Sequence, residues 1–247
     1  MTDAAGDLTE RVKKDAGERR SPLLRPKDAA TLIVIDRSRR EPRLLMGRRH
    51  PGHRFMPGLF VFPGGRIEPG DRGVSAYGAL SARAEQVLLA RTPRPSPARG
   101  RALALAAIRE TFEETGLLLG TAVHGPPERA PAAWAAFAER GVLPDLEALQ
   151  VVARAITPPG RTKRFDTRFF AIDREAIAGE VGGVVRPSSE LIELAWVSLG
   201  EARRLDLPAI TGIVLDELEA RLAAGFGPEL PVPFFHERRG RFVRELL

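Results

Sequence analysis

Residues 101–120 have the sequence RALALAAIRETFEETGLLLG, and this stretch predicts the helix around which the rest of the chain is organised. Alanine, leucine, arginine and glutamate favour helices, so a helix is predicted from about residue 101 to residue 115. Gly116 then provides a natural C-terminal stop. At about 100° per residue, one face of this helix is apolar and is expected to pack on a core; its residues are Leu105, Ile108 and Phe112.

The opposite face of the predicted helix carries three carboxylates. Glu110, Glu113 and Glu114 stand at i, i+3 and i+4, so their side chains share one face. Like charges at this spacing weaken a helix by roughly a few tenths of a kcal/mol per pair, and the negative end of the helix dipole lies nearby. Divalent cations would relieve both penalties, because hard cations prefer oxygen ligands. Taken alone, the triplet would be interpreted as a solvated acidic patch; the surrounding sequence favours a metal site.

The composition limits the classes of protein to which the chain can belong. With 247 residues, of which 43% are hydrophobic, it is long enough for one substantial globular core. No apolar run approaches the roughly 20 residues that span a bilayer, and no apolar secretory segment is visible near the N-terminus. Cysteine is absent, which excludes disulfides, cysteine zinc sites and cysteine nucleophiles and predicts a cytoplasmic location.

The formal charge of +6 suggests an anionic partner. A basic chain can favour nucleic acid, a membrane surface or an anionic metabolite. The arginines are nevertheless scattered along the whole chain and are not interleaved with aromatic residues. We therefore interpret them as a solvated surface, and expect neither a nucleic-acid groove nor a membrane partner.

Hydrophobic patterns predict strands and helices that do not strictly alternate, which indicates an α/β sandwich with a mixed sheet. Strands are predicted at residues 30–35, 43–46, 59–62, 149–156, 167–172 and 191–197. Helices are predicted at residues 74–91, 101–115, 131–140 and 209–224. The predicted organisation is a flexible N-terminal arm at 1–27, one domain at 28–225 and an unassigned C-terminal tail at 226–247.

Two segments together resemble the signature of the Nudix hydrolase family. The first is FPGGRIEPGD at residues 62–71, where Gly65 matches the opening glycine, and the second is RETFEETGL at residues 109–117. Asp71 stands where the family usually has glutamate, and Thr111 replaces an aliphatic residue. A long, spaced match of this kind is much more specific than a single glycine motif.

The two halves of the signature are separated by an insertion of about 30 residues, at about 72–100. A coenzyme A diphosphatase-like subgroup of the family carries such an insertion. Residues 44–65, LLMGRRHPGHRFMPGLFVFPGG, and residues 164–172, RFDTRFFAI, are also similar to that subgroup. The resemblance implies a Nudix-type α/β/α sandwich over about residues 29–200.

The resemblance also implies catalytic divalent cations, Mg²⁺ or Mn²⁺. The ligands that it implies are the carbonyl of Gly64 and the carboxylates of Glu110, Glu113, Glu114 and one further glutamate. Arg109 matches the residue that orients the first of these glutamates. We expect both Glu113 and Glu114 to be exposed toward the metals.

The further glutamate lies, in many family members, on a strand near a tryptophan. Glu190 and Glu193 both precede Trp196, and we favour Glu190 as a metal ligand because it falls at the start of the strand beside a loop. A strand-edge surface charge is the alternative for Glu190. Glu68 is a further candidate for reaching the metals.

The implied reaction is hydrolysis of a diphosphate bond in a nucleoside-diphosphate-linked small molecule, such as coenzyme A or acyl-coenzyme A. Metal ions lower the pKa of bound water, and Glu110 or another glutamate of the cluster accepts its proton. One alternative is a catalytically inactive Nudix-fold binding or regulatory module, which would be expected to lose a box glutamate. The other is hydrolysis of an RNA cap or 5′ end.

The insertion carries an apolar stripe formed by Leu80, Ala84, Val87 and Leu88. Such a stripe needs a surface to cover it. Either the body of the protein or a second subunit could provide that surface, so a homodimer is left open. We expect the insertion to affect substrate selection or subunit contact and to supply no metal ligand.

Overall fold

The computed structural model describes residues 4–14, 24–53, 56–123 and 130–247. The helices are α1 (Ala4–Lys14), α2 (Ala82–Leu89), α3 (Pro97–Thr115), α4 (Ala135–Glu139), α5 (Leu199–Ala202) and α6 (Ala209–Ala223). The strands are β1 (Lys27–Asp36), β2 (Arg43–Arg49), β3 (Phe60–Val61), β4 (Gly64–Arg66), β5 (Leu117–Ala122), β6 (Val142–Pro144), β7 (Gln150–Ile156), β8 (Phe165–Asp173), β9 (Ile177–Glu180), β10 (Leu191–Ser198), β11 (Pro233–Arg238) and β12 (Arg241–Leu246). None of the helices in these ranges is long and apolar enough to cross a membrane.

The main sheet is mixed, as predicted. Within the described ranges its strands follow the order β10-β2-β1-β8-β7-β11-β12, with β3 paired to β2 and β4 paired to β1. Strand β1 runs parallel to β8 and β11 runs parallel to β7, whereas the remaining pairs are antiparallel. Strands β6, β5 and β9 form a separate small sheet.

Strand β1 has apolar residues on both faces because the sheet is covered on both sides. Leu32 and Val34 point into the core on one side, and Ile33 and Ile35 point into the core on the other. This alternation follows from the two-residue repeat of a strand. Helices α2 and α3 cover the first side and α6 covers the second, so the predicted α/β/α sandwich is confirmed.

The insertion folds onto the body of the protein. Its helix is shorter than the predicted 74–91, because Gly78 has a φ of +61° and the Ser81 hydroxyl accepts a hydrogen bond from the amide of Ala84 at 3.1 Å, which fixes the start of α2. The apolar stripe of the insertion is buried in the core beside α3; its residues are Leu80, Ala84, Val87 and Leu88. Of the two surfaces considered for the stripe, the protein's own body provides the cover.

Both ends of the described chain contain regular structure that the sequence patterns do not reveal. The expected flexible arm at 1–27 is wrong for α1, which contacts β12 and α6, and its Val12 is buried in the core. The tail at 226–247 contains the hairpin β11–β12, which extends the main sheet beyond the predicted boundary. Its turn residues Arg239 and Gly240 have φ values of +52° and +77°.

Candidate metal and active site

Helix α3 carries the three glutamates and ends where the sequence predicts. Gly116 adopts the left-handed conformation with φ +82°, and its amide donates to the carbonyl of Phe112 at 2.7 Å. The helix begins at Pro97, four residues before its predicted start. Thr111, one of the departures from the family pattern, is fully buried, and its hydroxyl donates to the carbonyl of Ala107 at 2.7 Å. This bond satisfies the polar atom that replaces an aliphatic side chain.

The three glutamates differ in burial although they share one side of the helix. The side chain of Glu113 is 40% exposed and that of Glu110 is 18% exposed. Glu114 is buried, so the expectation that both Glu113 and Glu114 are exposed is wrong for Glu114. The reason is that Glu114 lies beneath the backbone of Gly64, whose amide donates to its Oε2 at 3.2 Å.

The glycine pair lets the backbone of β4 lie directly on the carboxylates. A Cβ atom on Gly65 would stand 2.2 Å from the carboxyl carbon of Glu110, and one on Gly64 would stand 2.4 Å from the carbonyl oxygen of Ala30. A larger residue at position 64 would collide with the backbone of β1, and one at position 65 would displace the carboxylate of Glu110. The structure therefore places Gly64 against Glu114, and the metal-binding role of its carbonyl stays a prediction.

Arg109 is held in a fixed position by Asp71. Arg109 is 1% exposed and Asp71 is 0% exposed, and the Nε of Arg109 donates to Oδ1 of Asp71 at 2.8 Å. The same guanidinium lies 3.1 Å from Oε1 of Glu110 and donates to Oε2 of Glu113 at 2.9 Å. Trp134 also donates to Asp71, from Nε1 at 3.3 Å. The shorter acid at position 71 thus still anchors the arginine that contacts two of the glutamates.

Glu190 comes close to the cluster from the loop before β10. Its carboxylate accepts a hydrogen bond from Nη2 of Arg49 at the end of β2, and Nε2 of His53 lies 3.6 Å away. Its negative charge raises the pKa of both Glu110 and Glu114. Glu193, the candidate that we did not favour, instead faces Arg48 at 3.9 Å with a half-exposed side chain.

Burial and mutual repulsion raise the pKa values of the cluster. Burial, with the charges of Glu113 and Glu190, raises the pKa of Glu110 to about 7 even though Arg109 opposes the shift. Burial also raises the pKa of Glu113, and its other causes include the charge of Glu68. Burial and the charges of Glu190 and Glu110 raise the pKa of Glu114 well above its ordinary value.

Oxygen donors in this arrangement fit a hard divalent cation, which would compensate the charge that the fold concentrates here. Across the described residues, no group of three or more aspartate, glutamate or histidine side chains is arranged so that it could hold a metal ion. The fit therefore rests on donor chemistry and uncompensated charge.

Sequence reasoning did not identify Arg49, His53 or Trp134 as neighbours of these carboxylates. Arg49 and His53 lie inside residues 44–65, the segment that resembles the coenzyme A diphosphatase-like subgroup. The resemblance marked the segment as important but did not predict which residues these two side chains contact. Trp134 was interpreted as core, and it is 1% exposed.

Fold and site together define an α/β/α sandwich protein in which the glycines of β4 lie over a partly buried acidic face of α3. The NUDIX domain model matches residues 25–218, which is most of the chain, so this chain belongs to the Nudix family. The predicted family is thereby confirmed.

Relatives and a solved structure agree with this assignment. The chain is 31% identical to the acyl-coenzyme A diphosphatase NUDT19 of Gallus gallus over an alignment that covers 64% of this chain and 54% of that protein. It is 27% identical to the protein of the same name from Homo sapiens, with 65% and 54% covered. The chain thus spans about half the length of these curated relatives. A NUDIX hydrolase from Alicyclobacillus acidocaldarius has a similar structure, with TM-score 0.59, 29% identity and coverage of 81% and 93%.

Proposed function

We propose that this chain is a divalent-metal-dependent hydrolase that cleaves the diphosphate bond of a nucleoside-diphosphate-linked small molecule. The observation that carries the proposal is the acidic face of α3, where Glu110 and Glu114 lie under the backbone of Gly64 and Gly65 with raised pKa values. Nudix proteins generally use divalent metals, and Mg²⁺ or Mn²⁺ suits these oxygen donors. A cytoplasmic location is part of the proposal, because the chain has no cysteine.

Each residue of the site has a proposed role. The cation would be held by the carboxylates of Glu110, Glu113, Glu114 and Glu190 and by the carbonyl of Gly64. When bound, the cation lowers the pKa of a water molecule and neutralises the diphosphate charge. Arg109 positions Glu110 and Glu113 through its contacts with both, and Asp71 prevents it from turning away. Glu110 is a candidate proton acceptor, since its carboxylate is partly buried beside the proposed cation site and can accept a proton from a water molecule there.

Coenzyme A or acyl-coenzyme A is the proposed substrate. Both curated relatives carry the name acyl-coenzyme A diphosphatase. Cleavage of the diphosphate in coenzyme A would release adenosine 3′,5′-bisphosphate and 4′-phosphopantetheine. An inactive binding module would be expected to have lost at least one of the three glutamates of the Nudix signature. This chain retains all three, Glu110, Glu113 and Glu114.

The test is a substrate screen with the purified chain and Mg²⁺ or Mn²⁺. Coenzyme A, acyl-coenzyme A, ADP-ribose, dinucleotides and capped RNA are incubated separately, and the products are identified by mass, with Glu110→Gln as the inactive control. We expect diphosphate cleavage of coenzyme A or its thioesters. Hydrolysis at the thioester with an intact diphosphate would contradict the mechanism. Preferential cleavage of capped RNA would favour the RNA alternative, and absence of turnover on every compound would favour a regulatory module.

A further inference from the structure

Arg49 inserts a buried positive charge beside the carboxylates of the site. The residue is 9% exposed, and its Nη2 donates to Oε1 of Glu190 and lies 2.9 Å from Nδ1 of His53. Its Nε is buried and has no hydrogen-bond partner within the described ranges. Glu190 itself is exposed, with 45% of its side chain accessible. The ion pair therefore joins a largely buried guanidinium to a partly exposed carboxylate.

The charge of Arg49 also reaches Glu114. It is the arginine whose charge lowers the pKa of Glu114, in opposition to the larger effects of burial, Glu190 and Glu110. Arg109, the other arginine of the site, is bound to the buried carboxylate of Asp71, which compensates much of its charge. Arg49 is instead paired with Glu190, one of the carboxylates proposed to hold the cation.

A guanidinium and a divalent cation that depend on the same carboxylates repel each other. Their repulsion increases as the distance between them and the local dielectric constant fall, and a divalent ion doubles it relative to a monovalent one. Because Arg49 is largely buried, the effect is screened less by salt than that of an exposed arginine.

We propose that Arg49 is a built-in counterion, which pairs with Glu190 in the metal-free protein and competes with the divalent cation for that carboxylate. This inference rests on the proposed metal site. It assigns Arg49 a positioning role through the carboxylates and requires no contact with substrate.

The neighbouring Arg48 provides a matched control. It stands next to Arg49 on β2, carries the same charge and faces Glu193 at 3.9 Å with a half-exposed side chain. Replacing either arginine with glutamine changes the net charge of the protein by the same amount. A difference between the two variants therefore reports the location of the charge.

The experiment measures Mn²⁺ binding by calorimetric titration, and thermal unfolding in EDTA and at saturating Mn²⁺. Arg49→Gln is expected to bind Mn²⁺ at least about fivefold more tightly than the unsubstituted protein, because a repelling charge is removed. Its Tm in EDTA should fall, and the deficit should shrink at saturating Mn²⁺. Arg48→Gln should change the Kd by less than about twofold, as expected for a screened surface charge. Arg49→Lys, which keeps the charge, should retain the weaker binding.

The outcomes separate this inference from the proposed function. Absence of Mn²⁺ binding by the unsubstituted protein would contradict the metal site and the counterion role together. Normal binding by that protein, with equal or weaker binding by Arg49→Gln, would overturn the counterion role alone. Tighter binding by Arg49→Lys to the same degree as Arg49→Gln would also overturn it, because the charge would then be irrelevant.

Discussion

Glu113 and Glu114 are neighbours in sequence but have different environments, and substitution should separate their effects. Glu113 is partly exposed and contacts Arg109, whereas Glu114 is buried under Gly64. We expect Glu113→Gln and Glu114→Gln each to lower turnover with Mg²⁺ by about a hundredfold or more, since each removes a proposed metal ligand. Steady-state kinetics measures this, and near-normal turnover in either variant would rule out its assignment.

Stability should distinguish the same two variants. The raised pKa of Glu114 means that its protonated form is favoured by folding, so this stabilisation is present below its ordinary pKa and is lost as pH rises through the raised value. Glu114→Gln cannot ionise, and in EDTA its Tm should exceed that of the unsubstituted protein by more at about pH 8 than at about pH 5.5. Glu113→Gln is the control and should show a smaller pH-dependent difference. An equal effect in both would contradict the distinction.

The sequence predicted those features of the site that depend on residues close together in the chain. The shared face of Glu110, Glu113 and Glu114 follows from helical spacing alone. The contact between Arg49 and Glu190 joins residues 141 positions apart and depends on the pairing of β2 with β10. The burial of Glu114 depends on β4 crossing over α3. Neither contact is expressed in the local pattern around the residues involved.

At the level of elements, α2 is part of the core, and this changes what its removal would do. Exchange of residues 74–98 for a flexible linker would remove the buried stripe and the first two residues of α3, so we expect unfolding in place of altered substrate choice alone. The sharper test is Leu88→Ala, because Leu88 is 3% exposed. It should lower the free energy of unfolding by about 2–5 kcal/mol.

Urea unfolding of Leu88→Ala would measure this loss. Gln86→Ala is the matched control, because Gln86 lies on the exposed side of the same helix. We expect the control to remain within about 0.5 kcal/mol of the unsubstituted protein. A similarly small effect in Leu88→Ala would show that α2 is not part of the cooperative core.

Strands and helices were predicted correctly where a strong hydrophobic pattern is bounded by residues that commonly end such elements. The apolar run in β1 and the terminal glycine of α3 gave correct predictions for this reason. The β11–β12 hairpin was missed because its turn is Arg239-Gly240, and Arg239 adopts a positive φ that arginine rarely has. Helix α1 was missed because its polar sequence becomes ordered through tertiary contacts, among them the Arg11–Asp216 ion pair at 3.0 Å.

Across the whole molecule, a buried ionic network joins the insertion to the sheet. Arg154 makes two hydrogen bonds of 2.8 Å with Asp166 and a third with the carbonyl of Ala90 in the insertion. Arg168 lies 3.1 Å from Asp166 and donates to Asp28 at 3.0 Å. Both arginines are 1% exposed. The network thus connects β1, β7, β8 and the end of α2.

Loss of the shared acid should be costly. Asp166→Asn would leave two buried guanidinium groups undercompensated and is expected to lower the free energy of unfolding by about 3–5 kcal/mol in urea. Asp216→Asn is the control, because Asp216 pairs with Arg11 and Arg203 at the surface and its side chain is 48% exposed. Its effect should be within about 1 kcal/mol. Equal effects would mean that the buried network contributes no more than a surface pair.

The parallel pairing of β1 with β8 also constrains the order of events during biosynthesis. Residue 27 pairs with residue 165 at one end of this central ladder, and residue 35 pairs with residue 173 at the other. A ribosome adds about 5–20 residues per second, so β1 emerges on the order of ten seconds before its partner exists. Throughout that interval one hydrogen-bonding edge of β1, a strand with seven buried residues, has no native neighbour, and the nascent chain carries an exposed, association-prone edge.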